Sequence, residues 1–279
     1  MWLKSVYFAA VKLTKEHGEH QYMAIITLLT DSGEADHYVA AIKAKILSTN
    51  PGVKIVDITH AIGSCDLAHA AFVLRSVFRD FPKGTTHLVG VHSTSNHDDA
   101  AIAVQIEDHY FVGADNGLFG LVSEKPHQHL VELNTPASTK TTFPEKDIFA
   151  LAAAKLASNV NITTLGNPMP TFKKMIDRQM KASKKQIMGH VIRVDNYGNL
   201  ITNITKQAFD ILSHEKIYSI QFGGEKFRRI HTQYNQADEG ECFLLFNSIG
   251  LLEIGIYKGN ATELLGLSYD SMVTISFEE

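Results

Sequence analysis

Three acids stand close together at a strand-to-helix junction: Asp31, Glu34 and Asp36, between an apolar run ending at Thr30 and a helical pattern through Val39, Ile42 and Ile46. Acidic residues at a helix start are ordinary, because the helix dipole favours negative charge there. Three exceed what a single cap needs. One carboxylate can accept both hydroxyls of a ribose, and a second can hold an ammonium or sulfonium centre. A second group follows a later apolar run: His92, Ser93, Thr94, Ser95, Asn96, His97, Asp98 and Asp99. Histidine suits a general base working near neutral pH, with Asp98 or Asp99 to fix its tautomer. Ser93, Thr94 and Ser95 could instead donate hydroxyl hydrogen bonds to a small anion. With 14 histidines in the chain, a polar loop with incidental histidines explains the same spacing. Zinc is not expected, since four ligands crowded into one loop are an awkward tetrahedral source.

The surrounding pattern supplies elements to position these groups. Strand-like runs at Ile25–Thr30, Val53–Ile58, Thr86–Val91, Ala101–Glu107 and Tyr110–Gly113 alternate with helical ones at Tyr38–Thr49, Asp66–Phe78 and Asp147–Leu156. Such alternation predicts an α/β domain over 23–170, with a mostly parallel sheet covered on both faces. In such a sheet, ligands sit beyond the carboxyl ends of the strands, where both polar groups fall. Pro168, Pro170 and the lysines that follow them mark a surface linker over 171–186. From 187 to 279 the pattern becomes short strands: Ile187–Asp195, Ile217–Phe222, Glu225–His231, Phe243–Asn247, Leu251–Ile256 and Met272–Phe277. Gly223-Gly224 signals a hairpin. A smaller, mainly antiparallel barrel or sandwich is expected there.

Of the 279 residues, 44% are hydrophobic and 20% charged, and the net charge is −4, a balance that argues against a general nucleic-acid or membrane-surface binder. Cys65 and Cys242 match no metal spacing or disulfide framework, which fits a reduced, cytoplasmic setting. No apolar run is long enough to cross a bilayer. Residues 1–22 form a weakly amphipathic segment without signal-peptide features and read as an N-terminal extension, Met23 opening the first strand.

Several spaced motifs join this frame: Val56–His60, Asp115-Asn116-Gly117-Leu118, Phe143–Phe149, Val194–Ile204 and Asn247–Ile254. Taken singly, Asp195–Asn199 reads as an Asx-type turn, Asn116-Gly117 as a hairpin turn and Tyr234 as a core aromatic. In order, with Asp31 and Asp36, they resemble the S-adenosyl-L-methionine hydroxide adenosyltransferase family, relatives of the fluorinating and chlorinating S-adenosylmethionine enzymes. The similarity runs from Met23 to the C-terminus. It implies a larger α/β domain followed by a smaller C-terminal β-barrel. It also implies a homotrimer whose ligand lies between the large domain of one subunit and the small domain of its neighbour. S-adenosylmethionine would be the substrate, with no cofactor, metal, nucleic acid or membrane involved.

Carried over one residue at a time, the resemblance implies that Asp31 takes the ribose hydroxyls and that Asp36 and Asp195 lie near the methionine amino group. Asn199 would read the adenine edge, Tyr234 stack on adenine and Ser248 sit near the methionine carboxylate. Ala261 would give a backbone contact to adenine, and Asn116 joins this substrate-binding set. The water-activating Asp–Arg–His trio of the family is altered. His92 stands in place of the aspartate, Asp99 in place of the arginine, and Pro144-Glu145-Lys146-Asp147 where the histidine is expected. The implied reaction is substitution at ribose C5′ by water, giving adenosine and L-methionine. His92 would act as base or water orienter, with Ser93, Ser95, Asp99 and Glu145 around the reacting centre. One alternative is another nucleophile such as halide, although Glu145 replaces the halide-binding serine and is a poor neighbour for an anion. The other is a retired enzyme that binds adenosine or S-adenosylmethionine without turnover.

Overall fold

Ile25–Thr30 is apolar at successive positions, as a strand buried on both faces must be. In a computed structural model, which describes residues 24–94, 99–135 and 141–278, it forms β1, an inner strand of the sheet of the first of two units. The units divide between Met175 and Ile176. The N-terminal extension and the loop residues Ser95, His97 and Asp98 lie outside the described residues.

In the first unit, helix α1 (Tyr38–Thr49) follows β1, then β2 (Lys54–Thr59) and helix α2 (Leu67–Val77). Next come β3 (Thr86–Gly90), β4 (Ala101–Ile106), β5 (His109–Ala114), the short helix α3 (Phe119–Val122) and β6 (His129–Leu133). A π-helical turn over Glu145–Phe149 leads into α4 (Ala150–Ala157), and β7 (Gly166–Pro168) closes the series. The strand order is β2-β1-β3-β5-β4-β6-β7. Only the β2-β1-β3-β5 half is parallel, whereas β4, β6 and β7 add antiparallel. The expected mostly parallel sheet is therefore mixed, because β4 and β5 join through the tight Glu107-Asp108 turn, both residues left-handed, and a tight turn can only reverse the chain. Side chains alternate across β1: Ile26 and Leu28 pack with Ile42 and Ile46 of α1 and the alanines of α4, while Leu29 packs with Ala70 and Leu74 of α2. Those two apolar faces fix the strand's register.

The second unit is a curled antiparallel half-barrel, of strand order β12-β11-β15-β9-β10-β14-β13. Its elements are β8 (Lys181–Ala182), β9 (Gln186–Val194), β10 (Leu200–Thr205), α5 (Lys206–Ser213), β11 (Ile217–Phe222) and β12 (Glu225–Phe227). They continue with β13 (Cys242–Phe246), β14 (Leu251–Ile256), α6 (Ala261–Leu265) and β15 (Met272–Glu278). The stretch read as linker is partly structured, since β8 pairs with β9. The curl brings His231, beyond β12, into a bridge with Leu245 of the opposite edge strand β13. Ile187, Leu200, Ile220, Leu252, Ile254 and Ile275 fill its interior. Among the described residues no helix is long and apolar enough to cross a membrane.

Candidate functional site

The chain leaves β1 for β2 on one side, while β3 lies on the other, so a crevice opens beyond the carboxyl ends of β1 and β3. Asp31 stands there. Its N–H donates to Gly90 O (3.2 Å), and its Oδ2 accepts the N–H groups of Cys65 (2.9 Å) and His92 (3.3 Å). Both donors have left-handed backbones, φ 61° at Cys65 and 50° at His92. This conformation turns each peptide toward the carboxylate. Asp31 Oδ1 takes no hydrogen bond from the described residues and remains for a ligand. Asn116, following β5, donates from Nδ2 to the carbonyls of Val91 (3.0 Å) and His92 (3.3 Å), tying the third strand end to the other two.

Around this cluster the catalytic candidates divide. His92 is half-buried beside Asp31 and Asn116. Ser93 Oγ is buried without a hydrogen-bond partner and lines a cleft of about 320 Å³ shared with Asp99, Glu132, Thr135 and Pro144. Asp99 has a side chain only 2% exposed and lies 2.5 Å from Lys173 Nζ. The Lys173 N–H also donates to Asp115 (2.7 Å), whose burial holds its carboxyl above the usual range. Asp99 therefore works here with Lys173 as an anchor of the 171–175 segment. Glu145 packs its side-chain stem at the end of β3: a Cβ on Gly90 would lie 2.7 Å from Glu145 Cγ and 3.2 Å from Thr30 Cγ2. Ser95 lies outside the described residues. Asp36 is exposed in the loop before α1 and makes no hydrogen bond with the described residues. Sequence reasoning did not single out Thr30 and His60 as a site pair; Thr30 Oγ1 bonds the buried His60 Nδ1 at 2.8 Å, below Asp31. No group of three or more His, Cys, Asp or Glu among the described residues is placed to hold a metal.

The second unit carries its own cavity, about 630 Å³, lined by Asp195, Tyr197, Asn199, Tyr234, Phe243 and Tyr257 among others. Three of the residues read from sequence meet there. Asp195 Oδ1 accepts from Tyr197 N (2.8 Å) and Asn199 N (2.9 Å), so the Asx turn and the pocket wall are one structure. Tyr234 stands edge-on to Phe243, with ring centroids 5.2 Å apart. Burial and the neighbouring Glu253 push its phenol up to about 12. Ala261 is fully buried at the start of α6, where the Thr262 N–H donates to Gly198 O (3.0 Å). Gly198 (φ 82°) has no alternative residue: a Cβ there would sit 2.0 Å from Asn260 Oδ1. Ser248 is exposed in the turn that Asn247 organises by accepting the N–H groups of Ile249 (3.2 Å) and Leu251 (3.1 Å). Sequence reasoning missed Glu253, 3% exposed, which receives Asn199 Nδ2 and Asn247 Nδ2, each at 3.1 Å. An acid between Leu252 and Ile254 in an apolar strand was the available signal. Burial, reinforced by Asp195, raises its pKa despite the three hydrogen bonds it accepts.

An α/β unit with an acid at its sheet crevice is thus followed by a β unit with an aromatic-walled polar pocket. Models of the SAM hydroxide adenosyltransferase N-terminal and C-terminal domains match residues 26–166 and 189–274. The chain belongs to the SAM hydroxide adenosyltransferase family. It is 30% identical over 264 residues to the (R)-S-adenosyl-L-methionine hydrolase of Methanocaldococcus jannaschii, covering 91% of this chain and 96% of that protein. A Thermus thermophilus hydrolase of the same name is 30% identical, covering 88% and 96%. An Actinoplanes fluorinase is 26% identical over 64% of this chain and 71% of its own length. The crystal structure of an uncharacterized conserved protein from Thermotoga maritima superposes with a TM-score of 0.81 at 29% identity, covering 90% of this chain and 99% of that one.

Proposed function

We propose that this protein cleaves S-adenosyl-L-methionine by attack of water at ribose C5′, yielding adenosine and L-methionine. The observation that carries this reading is the Asp31 carboxylate, fixed through one oxygen by two backbone donors and left with the other for the ribose hydroxyls. The new bond joins the water oxygen to C5′. The C5′–S bond breaks with its electron pair going to sulfur, so methionine leaves as a neutral thioether and no leaving-group acid is required. The protein's task is then to place the water in line and to take its proton. In this reading His92, whose backbone N–H donates to Asp31, takes the proton, and the Ser93 hydroxyl orients the water. Asp195, Asn199 and Tyr234 receive the adenine and amino-acid parts in this reading, with Asp36, Ser248 and Ala261 contributing as family positions. Water is favoured over halide because Glu145, whose stem packs at Gly90 beside the crevice, brings an acid where an anion would have to sit. A trimeric state belongs to the same reading and is checked by light scattering.

Incubation with S-adenosylmethionine followed by chromatography tests the activity: adenosine and methionine should accumulate in equal amounts. Retention of the ligand without product would favour a binding protein. His92→Ala should lower turnover by roughly 100-fold, the usual range for a general base, and an unchanged rate would remove His92 from the mechanism.

A further inference from the structure

Glu253 is a buried acid that takes no part in bond making or breaking, yet three ligand-facing elements hang from it. Asn199 uses both of its amide hydrogens internally, one on Asp195 Oδ2 (3.2 Å) and one on Glu253 Oε1 (3.1 Å). Turned over, the amide would set its oxygen against two carboxyl oxygens. The amide is therefore locked with Oδ1 outward. That oxygen accepts no hydrogen bond from the described residues. It is also absent from their buried polar atoms that lack a hydrogen-bond partner, so it is open to the cavity that Asn199 lines. Gly255 leaves the space for it, since a Cβ there would lie 2.5 Å from Oδ1. The same carboxyl group takes Asn247 Nδ2 (3.1 Å), bracing the Ser248 turn, and the Tyr234 hydroxyl, bracing the ring beside Phe243.

Where Asn199 lines the pocket it presents an acceptor, and an acceptor at that point discriminates between purines. A 6-amino group presents a hydrogen to it, whereas a 6-oxo group sets oxygen against oxygen and leaves both unsatisfied. We infer that Glu253 is a positioning residue that fixes the acceptor face of Asn199 and thereby makes the pocket select a 6-aminopurine nucleoside over a 6-oxopurine one. The inference deepens the proposed function and rests on its assignment of this pocket to the adenosine part of the substrate.

Calorimetry with adenosine and inosine on the full chain tests it. The wild-type protein should bind adenosine roughly 10- to 100-fold more tightly than inosine, the range set by one unsatisfied buried polar pair. In Glu253→Gln the new amide must face either Asn199 or Asn247 with an N–H, and facing Asn199 it favours the turned-over amide. The adenosine-to-inosine ratio should then fall about tenfold, chiefly through weaker adenosine binding. A loss of packing alone would weaken both nucleosides together. A ratio unchanged in folded Glu253→Gln overturns the inference. Asn199→Ala gives a second reading that stands if the Gln variant does not fold: loss of discrimination supports the inference, and retained discrimination overturns it. Wild-type protein that binds neither nucleoside nor S-adenosylmethionine would instead remove the pocket assignment, and the inference with it.

Discussion

The two polar clusters are fastened in different ways. At the crevice of the first unit, Asp31 is gripped by backbone N–H groups of Cys65 and His92, and Asn116 grips backbone carbonyls in return. In the second unit, Asn199, Asn247 and Tyr234 converge on the side chain of Glu253. A backbone-held site tolerates changes in the residues that hold it, provided their dihedral angles survive. A side-chain-held site fails when its hub changes. The contrast predicts where substitutions will be felt.

The largest effect should come from Asp31→Ala, which removes the carboxylate that the proposed reading gives to the ribose. If Asp31 holds the ribose as proposed, charge-assisted hydrogen bonds to two hydroxyls go together, and kcat/KM for S-adenosylmethionine should fall by about 100-fold or more. A drop below tenfold would deny Asp31 its ribose role. Next, Gly255→Ala strikes the second cluster sterically, because the added Cβ would meet the Phe243 ring at 2.0 Å and Asn199 Oδ1 at 2.5 Å. Overpacking of this kind costs about 1–3 kcal/mol, read as a lowered urea midpoint, with adenosine affinity falling roughly tenfold.

Acid separates the units thermodynamically. His87, fully buried between β1 and β5 with Thr27 at 2.7 Å and His109 at 3.2 Å, is pushed down to about 3 by burial and then by His109. A depressed histidine keeps its neutral form in the fold, so stability is present above the unfolded value near 6.5 and is lost as pH falls toward 3. Lowering the pH from 6.5 to 5 should cost the first unit about 2 kcal/mol. Glu253 runs the other way: its raised pKa means stability is fully present below the ordinary carboxyl value and declines as pH rises through the folded one. Hydrogen exchange at pH 7 and pH 5 should show protection falling in β1 and β3 while β10 and β14 hold or gain. Equal loss in both units would contradict the opposite signs. The smallest effect should belong to Cys65→Ala. The N–H that serves Asp31 remains, and activity should stay within about twofold; a large loss would mean the thiol itself has a role.

Much of this arrangement was legible in the chain. Ile25–Thr30, Tyr38–Thr49, Ile217–Phe222 and Leu251–Ile256 were bounded correctly, because apolar continuity or alternation is strong and each segment is closed by polar or turn residues. Asp31, Asp195, Asn199 and Tyr234 were identified through motif order. What stayed hidden depends on partners distant in sequence. β6 carries His129 and Glu132, whose polarity masks a strand, and β10 was read only as the tail of a turn motif. The π-helical turn at Glu145–Phe149 leaves no periodic trace, being a single wide turn whose N–H from Ala150 reaches Glu145 O. Glu253 drew no reading from the sequence, because its three donors come from separate elements.

The left-handed backbone at His92 also bears on how this position can drift. Outside glycine, that region is entered most readily by asparagine, aspartate and histidine, while β-branched residues are excluded. Histidine is in the admitted set, and so is aspartate. Geometry thus acts as a sieve here: position 92 can carry an acid or an imidazole without moving the loop, while the backbone bond that mounts it on Asp31 stays the same.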